Sequence, residues 1–218
     1  MKLTNQMLLK IGEVFPLHLA DPDEVRRMKV SGMTFDISTY HVPGLGHVSS
    51  MIASGFFGLM KMDTLIITPT EVDMPLFSYD RVLAMGNDTL IFELYDTLLA
   101  PADLSPIAQV KETYKHLPDH DLGEHWYDSI KLAESLSKKG KKLHTKAFDV
   151  CAMEYLDAFL TAAKAAPACN AAIKREKASV YVEGLLTHGG PSTDVFKKGI
   201  GEEETAALFR KVLFATEV

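Results

Sequence analysis

The spacing of apolar and polar positions changes period twice along this chain. Residues 5–16 place Met7, Leu8, Ile11 and Phe15 three or four apart, a helical stripe that Pro16 stops. Asp21-Pro22-Asp23-Glu24 then predicts a capped helix start, with Pro in the first turn and acids complementing the N-terminal dipole. From Arg27 to Leu99 the period falls to two. Met33-Thr34-Phe35-Asp36-Ile37-Ser38-Thr39-Tyr40 alternates, with Met33, Phe35 and Ile37 on one face. Pro43-Gly44-Leu45-Gly46 predicts a turn, residues 47–57 a second strand interrupted by Gly55, and residues 62–68 a third. Residues 76–85 and 89–95 predict two more, joined by a hairpin at Met85-Gly86-Asn87-Asp88. Connections this short make an antiparallel meander, because a parallel crossover needs about a dozen residues or more.

Beyond Pro101 the period lengthens again. Helices are predicted over residues 103–116, 146–166, 170–186 and 202–214, separated by a loop at 117–123 and a turn at 188–194. The second carries Phe148, Cys151, Tyr155, Leu156, Phe159 and Leu160 on one side. Strands first and helices after is an α+β pattern. The expectation is a single domain over residues 1–218, its sheet within about 27–99 and its C-terminal helices within about 103–214.

Composition narrows the partners. The net charge of −6 makes nucleic acid an unfavourable partner by bulk electrostatics. Two cysteines, Cys151 and Cys169, are too few for a disulfide framework, an iron–sulfur cluster or a cysteine zinc site, and read as reduced thiols. The N-terminus lacks a signal-peptide pattern, and no apolar run approaches the roughly 20 residues that span a bilayer. The expectation is a soluble cytoplasmic protein without a membrane partner.

Several clusters carry candidate chemistry. Asp80 sits inside an apolar strand, where an anion is costly to bury. It is either an edge residue, solvated or paired with Arg81, or a carboxyl of raised pKa able to donate protons. His116, His120 and His125 are the densest imidazoles, but Pro118 and Gly123 break the helix that a shared metal would need, so no metal site is expected. Lys138-Lys139-Gly140-Lys141-Lys142 reads as a solvated loop or a docking patch for an acidic partner. Met51, Met60, Met62, Met74 and Met85 fill a core or line a site for a large flat ligand. Gly44-Leu45-Gly46 lacks the third glycine and the strand-to-helix setting of a dinucleotide fingerprint.

Met74-Pro75-Leu76-Phe77-Ser78-Tyr79-Asp80-Arg81-Val82 resembles the signature of the ferredoxin-dependent bilin reductases, with Leu94-Tyr95-Asp96 matching the end of the following strand. Residues 194–201 and Arg210-Lys211-Val212-Leu213-Phe214 resemble that family's closing helices. The likeness covers roughly residues 62–97 and 190–214. It implies a three-layer α/β/α sandwich holding an open-chain tetrapyrrole between the sheet and the C-terminal helices. It also implies no tightly bound cofactor, single electrons from ferredoxin or a similar acidic donor, and protons from side chains.

On this resemblance Asp80 falls on the proton-donating aspartate, and Asp194 lies near a second one or caps a helix. Phe77, Asp63, His47 and His188 fall where substrate contacts are implied. The family's active-site His falls at Asp63 or Thr64, its sheet glutamate at Ser49, a glycine at Ser78, and basic residues at Gly189-Gly190-Pro191. The red chlorophyll catabolite reductases, which share the fold and lack that His, are a second relative. Three functions follow: a reductase of a linear tetrapyrrole, a carrier that binds one without reducing it, or a structural domain with a vestigial pocket.

Overall fold

The computed structural model describes residues 3–20 and 26–217; the capped start read at Asp21-Pro22-Asp23-Glu24 lies outside them. A first helix, α1 (Leu3–Val14), is followed by strands β1 (His18–Leu19), β2 (Arg26–Val30), β3 (Met33–Val42), β4 (Gly46–Gly55), β5 (Met60–Pro69), β6 (Leu76–Ala84) and β7 (Asn87–Tyr95). Helix α2 (Ser105–Thr113) precedes the last strand, β8 (Leu136–Lys141). Then come α3 (Thr145–Ala165), α4 (Ala171–His188), α5 (Pro191–Ile200) and α6 (Glu202–Ala207), which runs into a π-helical turn at Leu208–Leu213.

Among the described residues the eight strands form one sheet in the order β1-β3-β4-β5-β6-β7-β8, with β2 also paired to β3. Every pairing is antiparallel. The five-strand meander is therefore β3 to β7, joined by short turns. Its tightest turn is Met85-Gly86, two residues with φ of 51° and 74°, the left-handed geometry that matches the twist of a two-residue hairpin.

Helices α1, α2 and α3 cover one face of the sheet, over Ile11, Leu65, Phe77, Tyr79, Phe92, Phe148 and Phe159. Helices α4, α5 and α6 cover the other, over Phe35, Ile37, Tyr95, Tyr181, Phe196 and Phe209. This is the three-layer α/β/α sandwich implied by the resemblance. Because both faces are covered, central strands are apolar on both sides, and a polar residue there stands out.

Two corrections to the reading of the sequence concern strands. β1 and β8 are strands that the periodicity does not announce, and the lysine run at 138–142 is mostly strand β8 rather than a loop. Lys138 is buried in β8, where its ammonium donates to the Leu117 carbonyl at 3.0 Å and meets Asp119 at 2.5 Å. An edge strand rich in lysine discourages pairing with other chains, and that composition hides its alternation.

Two buried ion pairs fix the layers. Lys174 of α4 is fully buried, donating to Asp73 at 2.8 Å and to the Thr97 carbonyl at 2.6 Å. Asp73 also accepts from the Leu99 and Ala100 amides, so burial's upward push on its pKa is overcome and the pKa is lowered. On the opposite face Arg81 grips Asp88, with one bond at 2.8 Å, and Thr145 donates to the same carboxylate at 2.6 Å. Asp80 and Arg81 thus point to opposite faces, so the expected alternative of an Asp80–Arg81 pair does not form.

Candidate active site

Alternation along the middle strands decides which side chains meet. On β6, Ser78, Asp80 and Val82 face α4–α6, whereas Phe77, Tyr79 and Arg81 face α1–α3. On β5, Met62, Thr64 and Ile66 share the Asp80 side, and on β7 so do Ile91, Glu93 and Tyr95. Tyr181 and Leu185 of α4, Phe209, Leu213 and Phe214 of the C-terminal turn, and Thr193 of α5 close the space above them. Leu122, His125 and Tyr127 wall one side.

The result is a cavity of about 210 Å³ between the sheet and the C-terminal helices. Aromatic rings dominate its wall, with Tyr95 stacked on Tyr181 at 3.9 Å and edge-on to Tyr127 at 5.5 Å. Gly184 makes part of this arrangement possible. A Cβ there would lie 2.1 Å from the Trp126 ring, which packs on α4 and anchors the His125–Tyr127 segment through a bond from its indole N–H to Gly189 O at 3.1 Å.

Asp80 lies on the floor. Thr64 stands directly opposite it across the β5–β6 ladder and donates to Oδ1 at 2.5 Å, while the Ser78 hydroxyl is 3.5 Å from Oδ2. Burial pushes the Asp80 carboxyl up to about 6, the Thr64 bond pulls back, and the nearby Glu93 charge raises it further. A carboxyl poised there exchanges a proton near neutral pH.

Glu93 is the second cavity carboxyl. Burial raises its pKa, against the hydrogen bond that Tyr95 donates to Oε2 at 2.6 Å and the Lys131 ammonium 3.8 Å from Oε1. Lys131 is itself held by Asp128 at 2.5 Å, and His125 stacks on Tyr127 at 4.8 Å. Three residues of the wall carry a buried polar atom with no hydrogen-bond partner among the described residues: Glu93 Oε1, His125 Nδ1 and Thr193 Oγ1. Such atoms are costly unless a ligand or water completes them.

The structure brings Asp80 into the cavity and places the other expected site residues elsewhere. Phe77 is fully buried on the opposite face of the sheet, packed on Phe159 at 4.8 Å, because it is one residue out of phase with Asp80. Asp63 is on that opposite face for the same reason, beside Arg81 and Asp149. The position where the resemblance puts a His is therefore occupied, on the cavity side, by Thr64.

His47 lies on the cavity side of the sheet but bonds the Val212 carbonyl at 2.9 Å, and its neighbour Ser49 donates to Leu213 O at 2.8 Å. Together they fasten the C-terminal turn that roofs the cavity. His188 is exposed at the end of α4, its ring 5.5 Å from Trp126, and Asp194 is exposed in the first turn of α5, over Gly189. Neither lines the cavity. His116, His120 and His125 are not gathered, and among the described residues no three His, Cys, Asp or Glu side chains are grouped to hold a metal.

Glu93, Tyr127, Tyr181 and Thr193 escape a reading of the sequence, and His125, conspicuous there only as one of three clustered imidazoles, is not placed at this site by it. Glu93 does carry a signal, being an acid at an inward position within the apolar run from Leu90 to Tyr95. The others reach the cavity from connections and helix faces whose placement depends on tertiary packing.

No protein-family model matches the chain, and no curated protein sequence matches it. Among solved structures, phytochromobilin synthase from tomato, in complex with biliverdin, is similar with a TM-score of 0.79 at 15% identity. The similarity covers 98% of this chain and 82% of that one. At that identity it establishes the fold, the same sandwich of an antiparallel sheet between helical layers.

Proposed function

We propose that the protein reduces a linear tetrapyrrole bound between the sheet and the C-terminal helices, with Asp80 as a proton donor. The observation that carries this reading is the Asp80 carboxyl, lifted to about 6, on the floor of an aromatic cavity. The neighbour of the same fold was solved with biliverdin, which supports an open-chain tetrapyrrole as the ligand class. At about 210 Å³ the cavity is smaller than the roughly 300–1,000 Å³ of pockets that enclose drug-sized ligands. A tetrapyrrole would therefore displace part of the roof or extend past it.

Reducing one double bond takes two electrons and two protons. A ferredoxin, or a similar acidic one-electron protein, supplies the electrons in two steps and is oxidised in turn. One proton leaves Asp80 and the second leaves Glu93, the other cavity carboxyl of raised pKa. Both are recharged from solvent.

A carrier is the second reading, favoured by one observation. Thr64, a hydroxyl without acid–base chemistry near neutral pH, faces Asp80 where the resemblance places an imidazole. Titrating the protein with biliverdin and then adding reduced ferredoxin separates the two. The expected result is a bound bilin spectrum that bleaches or shifts on reduction, and that stalls at a radical intermediate in Asp80→Asn. Binding without reduction leaves the carrier reading standing, and an unchanged bilin spectrum removes both.

A further inference from the structure

One end of the sheet is built in a way that the cavity does not explain. Gly55, Met60, Ala84, Asn87 and Lys141 are successive cross-strand partners, so they form a row across β4 to β8. Beyond that row project the β4–β5 turn, the β6–β7 turn and the segment after β8. Their tips are apolar: Phe57 is 108% exposed, Met85 92%, Leu143 79%, Leu59 73% and Phe56 55%. An isolated exposed leucine means little, but five large apolar side chains at one end are a patch.

The backbone holds them outward at a cost. Phe56, Phe57 and Met85 have φ of 52°, 56° and 51°, the left-handed region that bulky side chains disfavour and Gly or Asn accept. At Met85 the two-residue hairpin requires this geometry, but Phe56 and Phe57 lie in a longer turn with their side chains exposed, so packing does not repay their strain, and such strain points to function.

The surroundings are basic although the chain is acidic overall. Lys29, Lys61, Lys141 and Lys142 are exposed around the turns. Asp88, the carboxylate next to the β6–β7 turn, is buried and neutralised by Arg81.

We propose that this end of the sheet is an anchor for a membrane surface bearing anionic lipids. Phe56, Phe57, Leu59, Met85 and Leu143 enter the headgroup layer, and the lysines meet lipid phosphates and carboxylates. Apolar tips on three separate turns, with ammonium groups around them, match an anionic lipid interface in both its apolar layer and its charge. No helix of the described residues is long and apolar enough to cross a membrane, so the contact is peripheral. Met62 and Val82 line the cavity two residues from the row, which brings the apolar end of the cavity close to the anchored face. The anchor stands whatever the cavity binds.

Co-sedimentation with phosphatidylcholine vesicles, with and without about one third phosphatidylserine, tests it. The full chain should pellet with the anionic vesicles, less with neutral ones, and less as salt rises. The double variant Phe57→Asn, Met85→Asn should stay in the supernatant with an equal or higher Tm, since Asn suits the left-handed backbone. Lys141→Gln with Lys142→Gln should weaken anionic binding by about fivefold per charge removed. No pelleting of the wild type, or pelleting of the Asn variant like wild type, overturns the anchor. Concentration-dependent dimerisation that the Asn variant abolishes would also overturn it, assigning the patch to a second copy of the chain.

Discussion

Thr64 and Asp80 face each other across the β5–β6 ladder, and the Thr64 hydroxyl donates to the Asp80 carboxylate over 2.5 Å. This bond favours the ionised acid, against the burial and the Glu93 charge that favour the neutral one. Replacing Thr64 by Val keeps the shape and removes the donor. Asp80 in Thr64→Val should therefore titrate above the value of about 6 that it holds beside Thr64. Carboxyl NMR of the two proteins across pH 4 to 9 reads this directly, and an unchanged or lower midpoint would show that the bond does not tune the acid.

The same carboxyl makes stability depend on pH. Asp80 ionises near 3.8 when unfolded and near 6 when folded, so the folded state binds its proton more tightly. The stability this contributes is fully present below pH 3.8 and is lost as pH rises through 6. A carboxamide in its place has no such proton to lose. Asp80→Asn should thus be more stable than wild type at pH 7 to 8, by about 1–3 kcal/mol from the size of the shift, with the gap closing near pH 4. Thermal melts at several pH values give the curve. A constant gap would mean that Asp80 is not the group responsible.

A raised pKa at Asp80 is legible in the sequence because an acid in an apolar strand is conspicuous, and the meander around it follows from turns too short for crossovers. What is not legible is instructive. Phe77 and Asp63 read as site residues because the resemblance places them there, yet a strand turns neighbours to opposite faces, so each lies one residue out of phase with the cavity. Deciding between Asp63 and Thr64 requires the register with β6, which no local pattern specifies. Tyr127 and Tyr181 come from a connection and a helix that meet only after the layers stack. β8 is hidden because lysines occupy the positions where alternation would have shown.

Arg81 and Asp88 form a buried pair on the face away from the cavity, with the Arg81 guanidinium also 5.0 Å over the Phe148 ring. Removing the acid leaves a buried cation with only the half-exposed Asp149, 3.4 Å away, as a counter-charge. Asp88→Ala should cost about 3–5 kcal/mol of stability, while the affinity for a cavity ligand, measured below the lowered Tm, stays near wild type. A loss of affinity matching the loss of stability would mean that the two faces of the sheet are coupled.

His47 and Ser49 hold the roof of the cavity by bonding the Val212 and Leu213 carbonyls, and only His47 can feel pH. Burial pushes its pKa from 6.5 down to about 4, with the Val212 carbonyl opposing, so the neutral ring with Nε2–H is the folded form. The unfolded chain takes up a proton first as pH falls. The stability this ring contributes is therefore complete above 6.5 and lost as pH drops through 4, by up to about 3 kcal/mol. Asp80 works in the opposite sense over much of that window, so the wild-type curve is shallower than either group alone would give. Replacing His47 by Gln keeps a donor for Val212 without the titration, and His47→Gln should retain its stability at pH 4.5 better than wild type. Hydrogen exchange localises the effect. The Phe214 amide, bonded to Phe209 O at 3.0 Å in the π-helical turn, should lose protection, relative to its intrinsic exchange rate at each pH, on acidification in the wild type and not in the variant. Equal loss of protection in both proteins would move the acid sensitivity away from His47 and leave the roof without a proton-driven release.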